Sequence, residues 1–100
     1  MVIRALDHVS QCYSDTDGRA LNGFIRTELR KGRRAIVSLA DVDFVSSSFV
    51  NEAFVALLDA YDITYVRSHL VIADANKQAA DMVRRCFDAA EAPPEERLRA

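Results

Sequence analysis

Three consecutive hydroxyls, Ser46, Ser47 and Ser48, stand where an apolar run ends and a periodic amphipathic segment begins. Residues of this type in this place can do three kinds of chemistry. A serine at a helix start can cap backbone N–H groups that have no intrahelical partner. A phosphorylated serine there would set negative charge against the positive end of the helix dipole. A serine nucleophile needs a base, and no Gly-x-Ser-x-Gly elbow surrounds the triplet. The two histidines, His8 and His69, carry no sequence link to the turn. Simple capping is therefore the first expectation, partner contact or modification the second, and no catalytic residue is expected.

The remaining reactive groups are scattered. Cys12 and Cys86 are far apart and form no CxxC or metal-type pattern. Cys86 lies on the apolar stripe of the last expected helix, where a thiol acts as a small hydrophobe. Asp15, Asp17, Asp41 and Asp43 could in principle gather a divalent cation, but their neighbours form turns and caps, which favours solvated loops. No spacing offers four convergent zinc ligands, and Gly18, Gly23 and Gly32 make no phosphate-cradling loop. Neither a metal nor another cofactor is expected.

Several elements must position these groups. Val2 to Leu6 reads as a short first strand. The polar cluster Ser14-Asp15-Thr16-Asp17-Gly18 offers caps for a helix over about 18–31, with Leu21, Phe24, Ile25 and Leu29 on one face. Gly32 would end it, with Arg30 and Lys31 in its last turn. Ala35 to Ala40 is a nearly continuous apolar run that predicts a strand buried on both faces. A helix over 49–61 follows, its stripe formed by Val50, Ala53, Phe54, Leu57, Leu58 and Tyr61. Asp62-Ile63-Thr64 reads as a break. A third strand covers Leu70 to Ala73 and could begin near Tyr65. Asp74 and Asn76 offer caps for a last helix over 77–88, buried through Ala79, Ala80, Val83, Cys86 and Phe87. Tyr65 lies outside the preceding stripe and is an interface candidate, whereas Phe54 and Tyr61 are expected in the core.

One hundred residues, half of them hydrophobic and 28% charged, describe a single soluble domain over 1–90 with a loosely ordered tail over 91–100. A net charge of −2 supplies no footprint for nucleic acid or an anionic membrane. No apolar run approaches a membrane span or the core of a signal peptide, so a cytoplasmic location is the simplest expectation. The alternation of strand and helix predicts an α/β fold, with three to four mostly parallel strands covered by about three helices. A sheet this small leaves an open edge, and a homodimer through that edge or a helix face is compatible with it.

The run Val42-Asp43-Phe44-Val45-Ser46-Ser47-Ser48-Phe49, with Asn51-Glu52-Ala53-Phe54 after it, resembles the strand-to-helix turn of bacterial STAS-like domains. It looks most like the STAS-like family of unknown function DUF4325, and Asp17-Gly18-Arg19-Ala20-Leu21 resembles that family's glycine-arginine helix start. The resemblance extends in order over roughly residues 13 to 88. It is more distant to the anti-sigma-factor antagonists, whose turn reads Asp-Ser-Ser-Gly. Ser47 matches their phosphorylated serine by position, but Ser46 replaces their aspartate, Phe49 follows where glycine is usual, and Ser38 replaces an aspartate of the preceding strand. The resemblance implies a STAS-like fold and a protein-binding module.

Two functions follow as expectations. The first is a non-enzymatic regulatory and signalling module. It would bind a partner protein, such as a histidine-kinase-like ATPase, through Ser46 to Ser48 and the outward residues Asn51, Glu52, Val55 and Asp59. The second is a small phage- or defence-associated inhibitor or accessory protein that binds a larger macromolecular complex. An enzyme working through the serines or aspartates ranks third, because base, metal motif and phosphate loop are all lacking.

Overall fold

The computed structural model describes residues 2–91. Strands β1 (Val2–Arg4), β2 (Ala35–Ser38) and β3 (Leu70–Ala73) form one sheet in the order β1-β2-β3, with both pairings parallel. Helix α1 (Asp15–Arg30) crosses from β1 to β2. The second crossover contains α2 (Ser47–Ala53), a 3-10 segment (Val55–Asp59) and α3 (Ile63–His69), and α4 (Lys77–Glu91) follows β3. The fold is α/β as expected, with three strands and four α-helices. No helix among the described residues is long and apolar enough to cross a membrane.

Register divides the sheet into two faces, because side chains alternate along each strand. Ile3, Val37 and Ile72 pair in one row, and Val2, Ile36 and Val71 in the next. The first row turns toward the helices, where Ile3 and Val37 are buried beside Leu21, Ile25, Phe49 and Phe54. α1 and α2 pack directly on each other, so both crossovers lie on that side. In the second row Val2 is exposed and Ile36 and Val71 are half-buried. The middle strand is buried at Ala35, Val37 and Ser38 and half-buried at Ile36, so its second face is covered only in part. Its continuous apolarity reflects the end of the strand, where Leu39 is buried in the turn beyond it.

Local chemistry explains most element boundaries. Ser14 caps α1 by accepting from the Asp17 N–H at 3.1 Å, so the helix starts at Asp15, three residues before the expected start near Gly18. At the other end Gly32 adopts φ +72, its N–H bonds Leu29 O, and the Arg33 N–H returns to Glu28 O. This pair of bonds is a Schellman termination, which favours glycine at the left-handed position. Gly18 faces α2 so closely that a Cβ there would lie 2.6 Å from the Phe49 carbonyl oxygen, which is why the two helices can meet.

Three expectations are corrected. The helix over 49–61 is broken after Ala53. The Ala53 carbonyl accepts from Asn22 Nδ2 at 3.0 Å, and the Leu57 N–H bonds Phe54 O, one residue later than an α-helix requires. Residues 62–69 are neither a break nor the start of a strand: Asp62 accepts from the Tyr65 N–H at 2.9 Å and caps α3. The β-branched Ile63, Thr64 and Val66 favour a strand only weakly, and the cap decides. Finally, α4 extends to Glu91, which pairs with Arg67 at 2.8 Å. The tail was expected to begin at that residue. Residues 92–100 lie outside the described residues.

Candidate functional site

The serine turn lies between the end of β2 and α2, at the carboxyl side of the sheet, and the chain reaches it through the segment 39–45. That segment is fastened from α4. Gln78 Oε1 accepts from the Val45 N–H at 3.0 Å while its Nε2 donates to the Val45 carbonyl at 2.8 Å. Asn76 Nδ2 donates to the carbonyls of Val42 and Asp43, at 3.2 and 2.9 Å, and Asn76 Oδ1 caps α4 through the Ala79 N–H. Val45 is fully buried, so these bonds satisfy backbone groups that water cannot reach.

The three hydroxyls divide between structure and surface. Ser46 is the N-cap of α2: its Oγ accepts from the Phe49 N–H at 3.1 Å and donates to the Tyr13 carbonyl at 2.6 Å. The Ser46 N–H donates to Cys12 O. Ser46 is thereby committed to holding two loops together. Ser47 and Ser48 open α2 and are exposed. Asn51 is exposed one turn further, and Glu52 is half-buried with Arg19 Nη1 3.9 Å away. Val55 and Asp59 lie beyond the break at Ala53, on the 3-10 segment. Val55 packs against the core, so its expected outward position is corrected. The 3-10 segment after Ala53 turns Val55 against the core, while Leu57 stays buried and Asp59 exposed as the stripe predicts.

Two aromatic residues complete the surface. Tyr13 and Phe44 are 48% and 45% exposed, and their rings meet at a centroid distance of 5.7 Å and an angle of 59°. They come from loops 31 residues apart, tied together by Ser46, whose hydroxyl donates to the Tyr13 carbonyl and whose N–H donates to the Cys12 carbonyl. A shallow pocket of about 130 Å3 lies beside them, lined by Leu6, Cys12, Tyr13, Val42 and Phe44 among others. Sequence reasoning missed both rings. Each ring is flanked by one polar and one buried residue, Tyr13 by Ser14 and Cys12 and Phe44 by Asp43 and Val45, so neither carries a local signal of exposure.

The other candidate groups have structural partners. His8 stacks on Phe24 at 4.0 Å, and His69 stacks on Tyr65 at 3.9 Å. Tyr65 also stacks on Tyr61 and donates its hydroxyl to Leu29 O at 2.9 Å. It packs against the core, which corrects its expected role as an exposed contact. Asp15 and Asp17 occupy the first turn of α1, and Asp41 pairs with Arg4 at 2.8 Å. Among the described residues no three His, Cys, Asp or Glu side chains gather as metal ligands. Burial pushes the Cys12 thiol up to about 11, with a smaller push from Asp17, and burial also raises Cys86. Neither is a ready thiolate at neutral pH.

A parallel three-stranded sheet with crossover helices, leading into a capped serine turn, defines an α/β domain. The sequence model of the STAS-like domain of unknown function, DUF4325, matches residues 17–80, from the first turn of α1 into α4. The chain belongs to this family. No curated protein and no solved structure matches it significantly.

Proposed function

We propose that this chain is a non-enzymatic regulatory module of the cytoplasm. It binds another protein through Tyr13, Phe44 and the adjacent Ser47 and Ser48. The observation that carries the reading is the exposed Tyr13–Phe44 pair, held in place from beneath by Ser46, Asn76 and Gln78. Rigid exposed aromatics bordered by small polar groups are the composition of interface hot spots. Preorganising them lowers the entropy lost on binding. The family resemblance suggests a signalling partner, a histidine-kinase-like ATPase being the first to test. Asn51 and Glu52 continue the surface along α2, whereas Val55 and Asp59 fall outside it.

The test is partner capture by the wild-type chain, by Ser47→Trp and by the double variant Tyr13→Ala/Phe44→Ala. The reading expects both variants to lose the partner while melting within a few degrees of wild type. Retained capture by the double variant, or capture lost only together with folding, contradicts it.

A further inference from the structure

The exposed large hydrophobics among the described residues are Val2, Tyr13, Phe24 and Phe44, and they fall in two places. Tyr13 and Phe44 belong to the serine turn. Val2, 60% exposed, and Phe24, 45% exposed, lie at the outer edge of the sheet. Phe24, expected in the core stripe of α1, instead stacks on His8 beside a groove of about 460 Å3 between α1 and β1. β1 has a strand on one side only, so its outer backbone edge is open. Apolar side chains gathered at an open edge mark an interaction surface.

The face of α1 that borders this edge has a symmetric pattern. Asp17, Ala20, Phe24, Thr27 and Lys31 recur at three- and four-residue spacing and so share one face. Four of them are exposed, and Asp17 is half-buried. Phe24 stands in the middle, with Asp17 two turns before it and Lys31 two turns after. Neither Asp17 nor Lys31 has an ion pair among the described residues. The small side chains of Ala20 and Thr27 flank the ring. A face with an apolar centre and opposite charges at equal distances on either side is complementary to its own antiparallel copy.

We propose that this edge is a homodimer interface, on which a second copy of the chain docks about a two-fold axis beside Phe24. β1 pairs antiparallel with β1 of the second copy, and the two sheets become continuous. An axis perpendicular to the sheet keeps both α1 helices on the same side and sets them antiparallel. Phe24 then meets the partner's Phe24, Asp17 faces the partner's Lys31, and Lys31 faces the partner's Asp17. With Ile3 at the axis, Val2 lies opposite the partner's Arg4, whose aliphatic stem covers it. β1 is only three residues long, so its backbone bonds do not hold two copies alone, and the helix contact supplies the apolar area. The other edge lacks such a face: all four residues of β3 are half-buried, and α3 and α4 flank it with Val66, Val83 and Phe87.

Sedimentation equilibrium of the whole chain from about 1 μM to about 1 mM tests this. A monomer–dimer equilibrium is expected, with amide exchange at Val2, Ile3 and Arg4 slowing as the dimer fills. Phe24→Asp should abolish the dimer, whereas Tyr13→Ala/Phe44→Ala should leave it intact. Asp17→Lys and Lys31→Asp should each weaken association by about tenfold or more, because two attractive contacts become repulsive. The double variant Asp17→Lys/Lys31→Asp should regain it. The two positions are about 21 Å apart along α1, so that recovery arises between chains and not within one. A native chain that stays monomeric to about 1 mM overturns the proposal. So does a dimer that survives Phe24→Asp, one that dissolves with Tyr13→Ala/Phe44→Ala, or a folded double charge variant that associates no better than the single ones. The native-chain measurements stand even if a charge variant fails to fold.

Discussion

Gln78 holds the backbone of Val45 at both ends, accepting from its N–H at 3.0 Å and donating to its carbonyl at 2.8 Å. One side chain of α4 thereby does what a neighbouring strand would do for an extended residue. The chain can leave the sheet after Ser38, stay anchored, and present Phe44 and the serine turn to solvent.

Replacing Gln78 with Ala leaves both Val45 groups buried and unpaired, at a cost of about 2–4 kcal/mol for two such groups. For a domain of this size each kcal/mol lowers Tm by roughly 4–8 °C. Thermal unfolding should show a loss of that order, and hydrogen exchange should show the Val45 amide losing protection first. An unchanged Val45 exchange rate would show that the clamp is dispensable.

Glycine substitutions separate close packing from backbone freedom. Gly18→Ala would push a Cβ against the Phe49 carbonyl at 2.6 Å and Glu52 Cβ at 2.8 Å, so a destabilisation of about 1–3 kcal/mol is expected. Gly23 lies within the same helix with nothing inside 4 Å, and Gly23→Ala should stabilise by about 0.5–1 kcal/mol. Chemical denaturation of the pair reads the opposite signs directly.

Asn22→Ala removes the donor that meets the Ala53 carbonyl and the acceptor that holds Arg26 at 2.6 Å. Arg26 in turn donates to Ala56 O, so the join between α1 and the second crossover loosens as a unit. A loss of about 2–3 kcal/mol is expected from a network of this kind, with Arg26→Ala less than additive to it in a double-mutant cycle. Full additivity would mean that the two side chains act separately.

The Cys12 thiol gives a pH dependence with a definite sign. Burial raises it from about 9 in the free thiol to about 11, so the folded chain holds the proton over a range in which the unfolded chain has released it. Its contribution to stability is complete below about pH 9 and falls as pH rises toward 11. Denaturation midpoints measured from pH 7 to 11 should fall over that window, and Cys12→Ala should flatten the fall. Reaction with an aromatic disulfide reagent at pH 8 should be slow until the chain unfolds.

Much of the architecture was legible because local signals agreed with the tertiary outcome. The apolar runs at Ala35 and Leu70, the caps at Ser14, Ser46 and Asn76, and the stop at Gly32 each act within a few residues of themselves. The break after Ala53 was not legible. It depends on Asn22, 31 residues upstream, taking a carbonyl that the helix would otherwise use. α3 was hidden for a different reason: its branched residues point to a strand, and a single aspartate cap outweighs them. The candidate site divided in the same way. A cap within the serine triplet followed from position, though not that Ser46 supplies it, whereas the Tyr13–Phe44 pair exists only because two loops are tied together through Ser46. Val55 was misplaced because its expected orientation extrapolated a helix that had already ended.

The central claim is that the face around Phe44 is where a partner docks. Replacing Phe44 with the photo-cross-linker benzoyl-phenylalanine keeps a ring at that place, and the same residue at exposed Thr64 of α3 serves as the comparison. Irradiation of the intact chain with its captured partner should give a cross-linked species from position 44 and none from position 64. A partner cross-linked from 64 and not from 44 would contradict the account.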